Sequence, residues 1–110
     1  MTRYSDIRVW GDKEDKEELY KRLERDNSIC IRRILAEAMD PPLIVSVVFG
    51  LINVLKIIHD FLKEKKDKHI EVMISYPDGR TFNITSVNPD KLQVLIQELA
   101  KSKENSTMKS

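Results

Sequence analysis

The feature that most constrains this chain is a long apolar stretch, Leu43 to about Leu62, entered through Asp40-Pro41-Pro42. The two prolines are the clearest break in the sequence, because proline ends a helix and restricts the residue before it. Read as one helix, the stretch has two unlike halves. In the second, Leu51, Val54, Leu55, Ile58, Phe61 and Leu62 form one stripe, with Asn53, Lys56, Asp60, Lys63 and Glu64 opposite. One small sheet can cover such a stripe. In the first, Leu43-Ile44-Val45-Ser46-Val47-Val48-Phe49, a helix is apolar nearly all round. A sheet covers one side of a helix, so part of that surface must meet something else. Three covers are open: the Ala36–Pro42 segment, a second copy of the chain, or a partner or membrane. The expected interaction surface is therefore Ile44, Val45, Val48 and Phe49.

Spanning a membrane is the weaker reading of the same stretch. The uncharged run from Pro41 to Leu55 is 15 residues, short of the ~20 that cross a bilayer core. Extending it takes in Lys56, His59 and Asp60, each costly in lipid. A buried helix is the expectation, and membrane association through helix 43–62 is the alternative.

Around this stretch the pattern is mixed. Tyr4, Ile7, Val9 and Trp10 among charges predict a strand near Asp6–Trp10, closed by Gly11-Asp12. Leu19, Tyr20 and Leu23 at helical spacing predict an amphipathic helix over Lys13–Arg25, acids in its first turn and bases in its last. Ile29 to Leu35 reads as a second strand, although Ala36-Glu37-Ala38-Met39 beyond it suits a helix. Ile70, Val72, Ile74 and Tyr76 alternate with Glu71, Met73 and Ser75 before Pro77-Asp78-Gly79-Arg80. Strand character resumes at Thr81, Phe82, Ile84 and Val87, so Asp78-Gly79 marks a hairpin with Gly79 at positive φ. Asn88-Pro89-Asp90 starts a last helix with Asn88 as N-cap, and Leu92, Leu95, Ile96 and Leu99 form its buried stripe.

The expected fold is a single α+β domain over 1–102 with a disordered polar tail over 103–110. Its order is β-α-β-α-β-β-α: a four-stranded mixed sheet, a C-terminal hairpin and a long central apolar helix. The first two strands should pair in parallel through the helix between them.

Chemistry-bearing residues are few. His59 and His69, ten apart on different elements, lack metal-ligand or triad spacing and read as surface histidines. The lone Cys30 excludes an intrachain disulfide and reads as a buried, inert thiol. Gly11, Gly50 and Gly79 are scattered, so no phosphate loop is present. Nineteen bases against eighteen acids give a net charge of +1, which excludes polyanion binding by bulk charge. Arg32-Arg33 and the Lys63–Lys68 run have acids nearby and no interleaved aromatics, so nucleic acid is not an expected partner. No enzyme activity, cofactor or metal is expected. The charged N-terminus, without an apolar core, argues for a cytoplasmic protein.

A resemblance adds to this reading. Phe61-Leu62-Lys63-Glu64-Lys65-Lys66 ends a helix, the Pro77-Asp78-Gly79-Arg80 hairpin follows, and a Leu-rich helix closes the chain. Together with the N-terminal strand, the helix carrying Leu19 and Leu23, the second strand and the proline break, this resembles the effector-associated constant component family of bacterial conflict systems. Where the family usually has Trp-Leu, this chain has Phe61-Leu62. Its central segment holds only Gly50 among Val and Ile, where the family's is rich in small residues. The resemblance implies a non-enzymatic accessory or adaptor component with a conflict-system effector as protein partner, and carries no catalytic residues. Homo-oligomerisation is a further expectation.

Overall fold

A computed structural model describes residues 5–34 and 42–109, with side chains up to Lys101. The element order is β1 (Ser5–Trp10), α1 (Lys13–Arg25), β2 (Cys30–Ile34), β3 (Leu43–Phe49), α2 (Leu51–Glu64), β4 (Glu71–Ser75), β5 (Thr81–Thr85) and α3 (Asp90–Lys109). Five strands form one sheet in the order β2-β3-β1-β4-β5. Every neighbouring pair is antiparallel.

The main correction falls on the stretch that opened the sequence analysis. It is not one helix. Leu43–Phe49 is strand β3, and only Leu51–Glu64 is helical. The switch is Gly50, at φ +85, a left-handed conformation that glycine adopts without penalty and other residues rarely do. Five β-branched or aromatic residues between Ile44 and Phe49 favour the pleated surface. The apolar-all-round surface therefore does not exist as a helix surface. In β3 successive side chains point to opposite faces, so Leu43, Val45 and Val47 enter the core while Ile44 and Val48 face away. The sheet accordingly has five strands and is wholly antiparallel, not four and mixed. The expected parallel pairing of the first two strands is also replaced: β1 lies between β3 and β4, and β2 lies outside β3.

Three helices cover one face of this sheet. Leu51, Val54, Ile58, Phe61 and Leu62 of α2 share one core with Ile70, Val72 and Ile74, as the helical stripe predicts. Ile7 and Val9 of β1 and Leu92, Leu95 and Ile96 of α3 complete it. Phe61 is fully buried, with the Arg22 guanidinium 5.3 Å from its ring centre. Burying a side chain of this kind is worth roughly 1.5–3 kcal/mol each. Such burial is the main term holding the helices to the sheet.

The α1 helix has the predicted bounds, with Glu14 and Asp15 in the first turn and Arg22 and Arg25 in the last. Its polar face is strapped to α2. Arg22 bridges Glu18 at 2.9 Å and Glu64 at 2.6 Å, and Lys65 reaches Asp15 at 3.6 Å. The hairpin also forms as predicted, with Gly79 at φ +95. Gly79 N–H donates to the Tyr76 carbonyl at 3.0 Å and Tyr76 N–H to the Arg80 carbonyl at 2.8 Å. These two bonds define a type I turn closed by a left-handed glycine, the usual three-residue hairpin loop.

At the start of α3 the prediction is adjusted. The Asn88 side chain does not cap the helix. Its Oδ1 accepts from Thr85 N–H at 3.1 Å and Thr85 Oγ1 at 2.9 Å. The helix continues to Lys109 through the stretch expected to be a polar tail from residue 103. The Ala36–Pro42 segment considered as a cover lies outside the described residues except for Pro42.

Candidate functional site

The strand register builds the second face of the sheet residue by residue. One row across it reads Arg32, Ser46, Asp6, Ser75, Thr81 from β2 to β5. The next reads Ile34, Ile44, Arg8, Met73, Asn83. A shorter third row is Trp10, Glu71, Thr85. Among the described residues no helix packs on this side, because every helix contributes its buried stripe to the opposite face.

The middle row is the apolar ridge of this open face. Ile34 and Ile44 are neighbours, and the aliphatic stem of Arg8 lies between Ile44 and Met73. Trp10 stands diagonal to Met73, and Val48 projects on the same side from the far end of β3. Charges of both signs, Arg8 and Arg32 with Asp6 and Glu71, are interspersed. Trp, Met and Arg are enriched at protein–protein contacts relative to other surface.

Three of the four residues predicted as an interaction surface are exposed or half-buried. Ile44 is half-buried on the open face, Val48 is 39% exposed and Phe49, at the strand's end, is 57% exposed. Val45 is the exception. It is 1% exposed, inside the core and directly paired with Ile7, so it is structural. Trp10, Arg8, Ile34 and Met73 join the surface although sequence reasoning missed them. For three of them the signal was available: on β1 and β4, Arg8, Trp10 and Met73 alternate with the buried Ile7, Val9, Val72 and Ile74.

The remaining chemical candidates are dispersed. His69 is exposed before β4. His59, expected on a polar face, is instead buried, with Nε2 lacking a hydrogen-bond partner and Nδ1 3.8 Å from the Asp60 carboxylate. The reason is geometric: α2 lies between α1 and α3, so its covered arc is wider than one sheet alone would give. Cys30 is half-buried rather than buried, at the irregularity between Cys30 and Ile31 where β2 shifts register on β3. Among the described residues no three His, Cys, Asp or Glu side chains are arranged to hold a metal ion.

Of the basic candidates, Arg33 and Lys65 are engaged, while Arg32, Lys63, Lys66 and Lys68 are exposed. Arg33 forms a two-pronged pair with Glu17 and sits 4.8 Å from the Tyr20 ring centre. The hydrogen bond from Arg33 holds the Glu17 carboxyl below its usual range. Lys65 is held charged chiefly by its hydrogen bond to Glu18. These contacts tie α1 to its neighbours.

Among the described residues no helix is long and apolar enough to cross a membrane. The alternative of an anchor built on helix 43–62 therefore has no such helix to use. No family model and no curated protein matches the sequence, and no solved structure matches the fold.

Proposed function

We propose that this protein is a non-enzymatic adaptor that works by protein–protein binding through the open face of its sheet. The observation that carries the reading is the ridge Ile34–Ile44–Arg8–Met73 with Trp10 beside it and Val48 beyond the Ser46 row, on a face that no described helix covers. Its mixed charge suits a protein surface better than a polyanion, which would call for one sign. The resemblance to effector-associated constant components supplies the context: an accessory protein whose partner is a conflict-system effector, acting in the cytoplasm.

Co-expression of the tagged chain with the products of neighbouring reading frames tests this. One of them should co-purify with the wild type. Arg8→Glu, Trp10→Ala and Val48→Asp should each release it without altering the circular-dichroism spectrum, because all three side chains lie outside the core. Retention of the partner by all three variants, or absence of any partner, refutes the proposal.

A further inference from the structure

A second surface lies at the β5 edge of the sheet. The bonds Tyr76 N–H to Arg80 O and Ser86 N–H to Ile70 O fix the ladder alternation. Residues 80, 82, 84 and 86 bond inward to β4, and the backbone groups of Thr81, Asn83 and Thr85 point outward. Asn88 closes one of these three positions. Its side chain accepts from Thr85 N–H and its own N–H donates to the Thr85 carbonyl at 3.1 Å. Thr81 and Asn83 are left open, symmetric about Phe82.

Beside these groups runs a groove of about 330 Å³ between β5 and α3, lined by Phe82, Ile84, Lys91, Val94, Leu95 and Glu98. Phe82 is 38% and Val94 55% exposed, so the groove is apolar in its middle. The chain reverses between β5 and α3, which sets Lys91 toward the Ile84 end and Glu98 toward the Tyr76 end. The negative charge of Glu98 is felt at the Tyr76 phenol.

We propose that this edge joins two copies of the chain by antiparallel pairing of β5 with β5 about a two-fold axis at Phe82. Three independent features fit a second copy. The open residues are self-complementary: Thr81 of each copy exchanges two backbone bonds with Asn83 of the other, using only the groups Asn88 leaves free. The axis places the two Phe82 rings side by side at a non-hydrogen-bonded position, where cross-strand side chains approach most closely. The two-fold also reverses direction, so the basic Lys91 end of one groove faces the acidic Glu98 end of the other. The product is a continuous ten-stranded sheet with its helices on one side and a doubled open face on the other. This surface is separate from the partner-binding ridge and does not rest on it.

Sedimentation equilibrium and amide hydrogen exchange on the full chain decide the matter. The wild type should show twice the chain mass, with Thr81 and Asn83 amides exchanging slowly and more slowly as concentration rises. Val94→Lys changes an exposed helix position, and Asn83→Pro removes an outward N–H that makes no bond to β4. Each should weaken association about tenfold or more and restore fast exchange at Thr81, while Arg8→Glu on the open face stays dimeric. A wild type that remains monomeric at about 1 mM, the weak end of the affinity scale, overturns the proposal and assigns the edge to a strand of another protein. Undiminished association in both edge variants overturns it in favour of a different contact.

Discussion

The two edges of the sheet are built to opposite rules. At β2 the edge carries Arg32 and Arg33 and a register irregularity at Cys30, and α1 reaches over it through Glu17 and Tyr20. Charges and bulges are the devices by which proteins stop a strand edge from pairing. At β5 the sequence Thr81-Phe82-Asn83-Ile84-Thr85 has no charge, no bulge and an apolar groove beside it. The glycines at each end repeat the contrast. A Cβ on Gly50 would lie 2.6 Å from Ile29 Cγ2 and 2.7 Å from the Ser28 carbonyl, whereas one on Gly79 would meet nothing within 4 Å. One end of the sheet is locked against neighbours and tightly packed; the other is available.

The sharpest way to break this comparison is to mutate both glycines. Gly50→Ala adds backbone strain to a collision with main chain, together worth about 2–5 kcal/mol. It should lower the midpoint of a denaturant titration sharply. Gly79→Val meets only the strain of a β-branched residue at positive φ, about 1–2 kcal/mol, and should give a folded protein with a lowered melting temperature. Equal losses at the two sites would contradict the picture of one packed and one open end.

Asn88→Ala sharpens the comparison at the β5 edge. Losing the side-chain bonds to Thr85 should cost about 1 kcal/mol. Exchange protection of the Thr85 amide should vanish in the monomer, since no other described group shields it.

The smallest effect is expected at the β2 edge. The Glu17 and Arg33 side chains are each about a third exposed, so Arg33→Met should cost at most about 1 kcal/mol. Its clearer signature is the Glu17 titration. With Arg33 present the carboxyl is held below its ordinary value of 4.5; without it, the midpoint should rise toward that value in an NMR titration. Because the folded pKa is the lower one, the unfolded chain takes up the proton first as pH falls. The pair's stabilisation is complete above about pH 4.5 and fades as pH drops through the folded midpoint. A protein whose acid stability ignores Arg33→Met would show that the strap is ornamental.

Much of the fold was legible because local rules coincided with tertiary ones. The α1 bounds follow from Leu19 and Leu23 with charges arranged to suit the helix dipole, and the hairpin follows from Pro77-Asp78-Gly79 between alternating runs. Leu43–Phe49 failed because β3 has apolar residues on both faces: Val45 and Val47 toward the core, Ile44 and Val48 toward the open side. A strand apolar on both faces loses the period-two alternation that identifies it. The overlooked clues were Gly50 and the β-branched run. The candidate site suffered in turn. Ile44 and Val48 lie on the open face although they were singled out as helix residues, Phe49 has the opposite parity at the strand's end, and Val45 came in only because a helix was assumed. The alternation marks Arg8, Trp10 and Met73 as facing away from the core, but which of them are neighbours follows from the strand order, which no local pattern encodes.

That strand order has a consequence for how the chain is made. β1 emerges first during synthesis, yet it ends as the central strand, with Ser5 against Val47 on one side and Asp6 against Ser75 on the other. Until β3 and β4 are both synthesised, Ile7 and Val9 have no permanent partners. The β2–β3 and β4–β5 pairs, by contrast, join consecutive strands of the sequence and close shorter loops. Loop length therefore favours the two flanking ribbons, and seating β1 between β3 and β4 is the high-contact-order step of this topology.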